Sequence, residues 1–178
     1  LPRLDFALDQ RDSTIALFEQ LKDKGPVQEE SRRQLGMAVS DLLFERQRYR
    51  DFLSCAGDIT TKLETLLGKA TAAEAQVDSL PPGDRKRAYV DQQLNAIWNA
   101  SFQGYEALLG GGRKDEADRV AQAILAFRGN AETFDRLAAA ADRVGDAGVA
   151  SKWRGLDAPE EKETPSAPAD SLLRLDEG

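Results

Sequence analysis

The chain has 178 residues, 41 % hydrophobic, 31 % charged and 7 % aromatic, the length and balance of one globular domain or one compact helical array. It has no histidine and a single cysteine, Cys55. That excludes Ser-His-Asp and Cys-His catalysis, the usual zinc sites, His-ligated haem, the Glu-x-x-His di-iron signature, an internal disulfide and a CxxC pair. The net charge of −7 is unevenly placed: residues 157–178 hold seven acids and two bases, a net −5, and the other 156 residues are nearly neutral at −2.

Strand signals are scarce, because β-branched residues are dispersed and no segment sustains alternation. Helical signals recur along the whole chain. Asp12-Ser13 caps a first predicted helix with Ile15, Leu17, Phe18 and Leu21 on one apolar face, stopped by Gly25-Pro26. A second is predicted over 28–47 with Leu35, Val39, Leu42 and Leu43 near 3.6-residue spacing. A third starts near Tyr49, carries Phe52, Leu53 and Ala56 and ends near Gly57, and a fourth covers 59–77 through Ile59, Leu63, Leu66, Leu67 and Ala70. Pro81-Pro82-Gly83 is the sharpest break. From Asp84 a long helix follows, with Tyr89, Leu94, Ile97, Trp98, Phe102 and Tyr105 on a broad apolar face, ended by Gly110-Gly111-Gly112. Residues 113–127, 132–144 and 147–154 are predicted as three further helices. From Leu156 the composition turns to proline, glutamate and alanine, the signature of a disordered acidic tail. Its end, Ser171-Leu172-Leu173-Arg174-Leu175, reads either as a plain terminus or as a docking motif. The expected organisation is therefore 1–80 as N-terminal hairpins, 84–155 as a helical array and 156–178 as the tail. Whether the first 80 residues join the same array is left open at this level.

The second half repeats. Gly112 to Ala117 and Gly145 to Ala150 align at an offset of 33 residues, glycine on glycine and alanine on alanine. Helix, glycine turn and helix at such a period describe a stacked helical-hairpin array. On these residues the stretch 98–154 resembles the tetratricopeptide repeat family. The best unit has Phe134 at the large first-helix position, Leu137 and Ala138 as the following pair, Ala141 at the later packing position, and Gly145 and Ala150 at the turn and close contact. The preceding unit keeps Tyr105, Leu108, Gly112 and Ala117 on a longer first helix. Arg46-Gln47-Arg48 is a similar turn, with Phe52 where the small residue belongs. Both C-terminal units lack the repeat-ending proline and the first-position tryptophan of the family. The competing architecture is a plain helical bundle.

No sequence feature points to catalysis, a cofactor or a metal. Gly110-Gly111-Gly112-Arg113-Lys114 lacks the spacing of a phosphate loop, and Cys55 has no histidine to act as its base. Phe52-Leu53-Ser54-Cys55 is a helical stretch rather than a lipoprotein cleavage site, and a buried cysteine is expected there. Trp98 and Trp153 are expected in the core. The chain opens at Leu1-Pro2 without methionine, as a processed protein or a piece of a longer one would. No nucleic-acid partner is expected from the charge, and no membrane span from the hydropathy. The resemblance implies a non-enzymatic interaction module, a scaffold or adaptor subunit. It would bind a partner segment in a concave groove lined by the first helix of each hairpin. That side carries Asn99, Phe102 and Glu106 in one unit and Glu132, Asp135 and Asp142 in the next, with Arg136 and Arg143 at its margin. An acidic groove of this kind would complement a basic or amphipathic helical segment, and end-to-end self-association is a further possibility for an array without polar caps. Two other readings remain open: an accessory domain of a longer enzyme or sensor, and a small-ligand binder built on Tyr89, Trp98, Phe102 and Tyr105.

Overall fold

The computed structural model describes residues 13–20 and 39–157. Among these there are eight helices and no strand: α1 (residues 13–20), α2 (Ser40–Glu45), α3 (Tyr49–Ala56), α4 (Ile59–Val77), α5 (Arg85–Gly110), α6 (Lys114–Phe127), α7 (Ala131–Arg143) and α8 (Ala147–Asp157). The fold is all-α. Leu21, Gly25-Pro26, Leu35 and the segment 158–178 lie outside the described residues.

Short polar side chains start the helices. The Asp58 carboxylate accepts from the Thr61 amide, Asp84 from Lys86, Asn130 from Thr133 and Asp146 from Val149, each satisfying an amide that the first turn leaves without a carbonyl. Three hairpins close on the same left-handed turn. Gln47, Gly112 and Gly145 have φ of +56°, +81° and +79°. In each case the next amide (Arg48, Arg113, Asp146) donates to the carbonyl five residues back (Leu43, Leu108, Ala141) at 2.8–2.9 Å, the six-to-one bond of a Schellman cap. The carbonyls of Arg48, Arg113 and Asp146 then accept from Phe52, Ala117 and Ala150, all at 3.0 Å, so each turn re-enters a helix at the same residue.

Side-chain pairs fix the directions of the helices. Thr60 donates to Glu116, Arg119 pairs with Glu64 and Arg128 with Glu74; the near-constant separation in sequence places α4 and the α6 segment side by side and parallel. Arg136 donates to Asn99 and Arg143 to Glu106, which sets α5 and α7 parallel in the same way. The C-terminal half of α5 lies at the centre, with every residue from Gly104 to Leu109 buried, against α3, α4, α6 and α7. At Gly110 such closeness requires glycine, since a methyl group there would lie 2.3 Å from the rigid Tyr49 ring; at Gly104 one would meet the flexible end of Leu63, 2.3 Å from Cδ1. One buried cluster runs from Phe18 through Leu43, Leu67, Trp98 and Ile124 to Trp153, so the residues described within 1–80 share a core with 84–155.

Two expected core positions are corrected. Leu17 is 47 % exposed although Ile15 and Phe18 beside it are buried, because two positions along a helix turn the side chain by about 200°. Tyr89 is 63 % exposed; none of the first nine residues of α5 is fully buried, although Val90 packs partly against the core, and the fully buried face begins at Leu94. Trp98, Trp153 and Cys55 are buried as expected. α8 continues through Leu156 to Asp157, past the point where the composition changes.

Candidate interaction groove

Asn99, Phe102, Gln103 and Glu106 fall at three- and four-residue steps on α5 and therefore share one face. With Phe44 of α2 and Arg136 and Arg143 of α7 they line a recess of about 500 Å³. Ala100 and Gln103 belong also to a second recess of about 630 Å³, where α3 bends into α4 at Gly57 and where Phe52, Cys55, Ile59, Leu63 and Leu66 supply an apolar wall. The two recesses meet at Ala100 and Gln103 on α5, one apolar at the α3–α4 elbow and the other polar toward α7; together they are the candidate groove.

The six residues expected to line the groove are placed unequally. Asn99 is exposed, and its side-chain oxygen accepts from Arg136 at 2.9 Å. Phe102 and Glu106 line the polar recess but are only 4 % exposed. The Phe102 ring lies under the Arg136 guanidinium, 4.0 Å from its centroid, and edge-on to Trp98 at 4.8 Å, an arrangement that shields the ring and holds the cation over its face. Glu106 is engaged within the fold. Its carboxylate accepts from the Tyr49 hydroxyl at 2.9 Å and from Arg143 Nε at 2.7 Å, so a charge expected on the groove surface is consumed within the fold. A buried carboxylate is tolerated only with such donors. Tyr49 shares the cost: burial, reinforced by the hydrogen bond to Glu106, pushes its hydroxyl up to about 12. Of the α7 acids, Glu132 is exposed and faces Arg136 at 3.9 Å, and Asp142 pairs with Arg154. Asp135 is exposed, and none of the three lines either recess.

The described lining of the recesses carries a net positive charge: Lys62, Arg136 and Arg143 stand against one carboxylate, Glu106, which pairs with Arg143, and Arg136 in turn faces Glu132 at 3.9 Å. Arg136 and Arg143, placed at the margin from the sequence, stand in the groove with one third and one half of their side chains exposed. Phe44, Ala100, Gln103 and the apolar elbow were not legible as groove residues. Their grouping depends on the angle between α3 and α4, for which Gly57 at φ +68° is the one local signal.

No family model, curated protein or solved structure matches this chain. The functional reading therefore rests on its own residues. The aromatic ligand site does not assemble: Tyr89 is exposed on the first turns of α5, while Tyr105 is buried and accepts from Trp153 Nε1 at 2.8 Å. Among the described residues no three His, Cys, Asp or Glu side chains converge on a point that would hold a metal, and no helix is long and apolar enough to cross a membrane.

Proposed function

We propose that this chain is a non-enzymatic protein-interaction module, a scaffold or adaptor built of tetratricopeptide-like hairpins, which receives a partner segment along the α5 groove. The observation that carries the reading is the threefold recurrence of one turn, at Gln47, Gly112 and Gly145, each with the same two flanking hydrogen bonds. Parallel packing of α5 with α7, the helices that precede the Gly112 and Gly145 turns, supports it, since successive hairpins of such an array stack their equivalent helices in parallel. The groove's composition then favours an amphipathic partner. Leucine-like side chains would enter the elbow between Phe52 and Leu66, and acidic groups would meet Arg136 and Arg143. This is the opposite polarity to the basic segment that an acidic groove would have selected.

Ala100 provides the test, because it is exposed, helical and common to both recesses. Ala100→Glu adds bulk and negative charge at the centre of the groove with little loss of helix propensity. Affinity capture with the intact chain and with Ala100→Glu, followed by titration of the captured protein against both, should show at least a tenfold weaker complex for the variant. Equal affinity for the two would move the site off the groove and overturn the reading.

A further inference from the structure

We infer that the recess at the α3–α4 elbow binds a medium-chain fatty carboxylate, with its alkyl chain against Phe52, Cys55 and Leu63 and its head group on Lys62 and Gln103. The inference goes beyond the groove reading and needs no protein partner to hold. Where α3 bends into α4 at Gly57, the two helices leave a recess of about 630 Å³, within the roughly 300–1,000 Å³ of small-molecule sites. Such sites are mostly apolar, with a few polar groups that fix the orientation of the ligand. The elbow has the same division. Phe52, Cys55 and Leu63 are buried and form its inner wall, and Ile59 and Leu66 are half-buried beside them. Lys62 is the single charged residue of the lining, and it is exposed. Among the described residues no carboxylate pairs with Lys62, and the Gln103 amide has no hydrogen-bond partner. The acid one turn before Lys62, Asp58, caps α4 through the Thr61 amide. The Ser54 hydroxyl is likewise spent, donating to the Asp51 carbonyl at 2.7 Å. Lys62 and Gln103 each precede one member of the pair Leu63 and Gly104, at which α4 and α5 touch, so one head group at that seam would meet both. An ammonium offers donors and a single positive charge. Its complement is a singly charged acceptor, a carboxylate, and the buried apolar wall beside it takes an alkyl chain. Because Ala100 and Gln103 belong to both recesses, a ligand in the elbow would also exclude the leucine-like side chains of a protein partner.

Isothermal titration calorimetry of the full chain with octanoate, decanoate and dodecanoate, each below its micelle concentration, is the test. Each added methylene that enters the recess should tighten binding about fourfold. Dodecyltrimethylammonium should bind at least tenfold more weakly than dodecanoate. Lys62→Glu should reverse that preference while circular dichroism shows the helices intact. Absence of saturable binding for all three carboxylates overturns the inference, as does a head-group preference that survives Lys62→Glu. Cys55, the chain's single thiol, lines the recess and reports the location. Saturating dodecanoate should slow its alkylation by iodoacetamide at least tenfold, and an unchanged rate would put the ligand elsewhere and overturn the assignment. Ala100→Glu, at the exposed rim of the recess, gives a readout independent of the thiol: it should weaken dodecanoate at least fivefold, and unchanged affinity counts against the site. Failure here is separable from failure of the groove reading. A chain that ignores all three carboxylates but whose protein partner is weakened by Ala100→Glu loses this inference and keeps the groove. A chain that binds dodecanoate as described, with a partner indifferent to Ala100→Glu, keeps this inference and loses the groove.

Discussion

Glu106 joins three helices through its side chain. Tyr49 reaches it from α3 and Arg143 from α7, so a single carboxylate on α5 ties the elements that flank it. The two ends of the ion pair are not equivalent, since Glu106 is buried while about half of the Arg143 side chain is exposed. Removing Arg143 leaves a buried charge with one neutral donor, whereas neutralising Glu106 releases a guanidinium that water can solvate. We therefore expect Arg143→Ala to cost about 3 kcal/mol and Glu106→Gln only about 1 kcal/mol in urea unfolding followed by circular dichroism. The reverse order would mean that the carboxylate is not held as a buried charge. The tyrosines give a pH signature. Tyr49 and Tyr105 are each pushed up to about 12, in both cases chiefly by burial. Their neutral form is favoured by the fold, so this contribution to stability is complete below pH 10 and is lost as pH rises through about 12. Absorbance at 295 nm should show these two hydroxyls ionising near pH 12, or together with unfolding. Ionisation of all three tyrosines near 10 with the fold intact would contradict it.

At the scale of elements the hairpin turns are the informative features. Gly112 and Gly145 occupy the left-handed region, where an L side chain crowds the following carbonyl; Gln47 occupies the same region without glycine's freedom. Gly145→Ala should destabilise the chain by about 1 kcal/mol, and Gln47→Gly should stabilise it by about 0.5–1 kcal/mol. Opposite signs at equivalent positions of two hairpins, read from thermal or urea midpoints, would confirm that one turn geometry is used in both. Gly110 belongs to a different class. It is helical, and its missing side chain leaves room for the Tyr49 ring, which Glu106 holds in place. Sequence reading assigned Gly110-Gly111-Gly112 to stopping the helix; for Gly110, close packing is the stronger constraint.

For the whole molecule the question is whether the segments before and after Pro81-Pro82-Gly83 form one cooperative unit. The buried cluster crosses that break, and α4 is bound to the α6 segment by Thr60–Glu116, Glu64–Arg119 and Glu74–Arg128. Both tryptophans lie after the break and report on 84–157, whereas far-ultraviolet circular dichroism reports on all helices. The two signals should share one midpoint on urea unfolding. An earlier dichroism transition would show that the N-terminal helices melt separately.

Much of the helical content was legible in the sequence because it is set locally. The helix predicted over 59–77 matches α4 end for end, and the Asp58, Asp84 and Asn130 caps with the glycine turns delimit most of the others. Periodicity identified the core face where one stripe of a helix is buried, as at Leu63 and Leu67 of α4 and Val120 and Ile124 of α6. On α5 it identified Leu94, Trp98, Phe102 and Tyr105 but misplaced Tyr89, which is exposed, and Glu106, which is buried because the second half of this helix is surrounded. The charge of the groove belonged to tertiary structure for the same reason. Sequence placed three acids of α7 near it and two arginines at its margin, but partners 37 and 57 residues away decide which of these charges reaches solvent. Local chemistry fixed the helices and their turns; pairing between distant residues decided which charged side chains were left exposed.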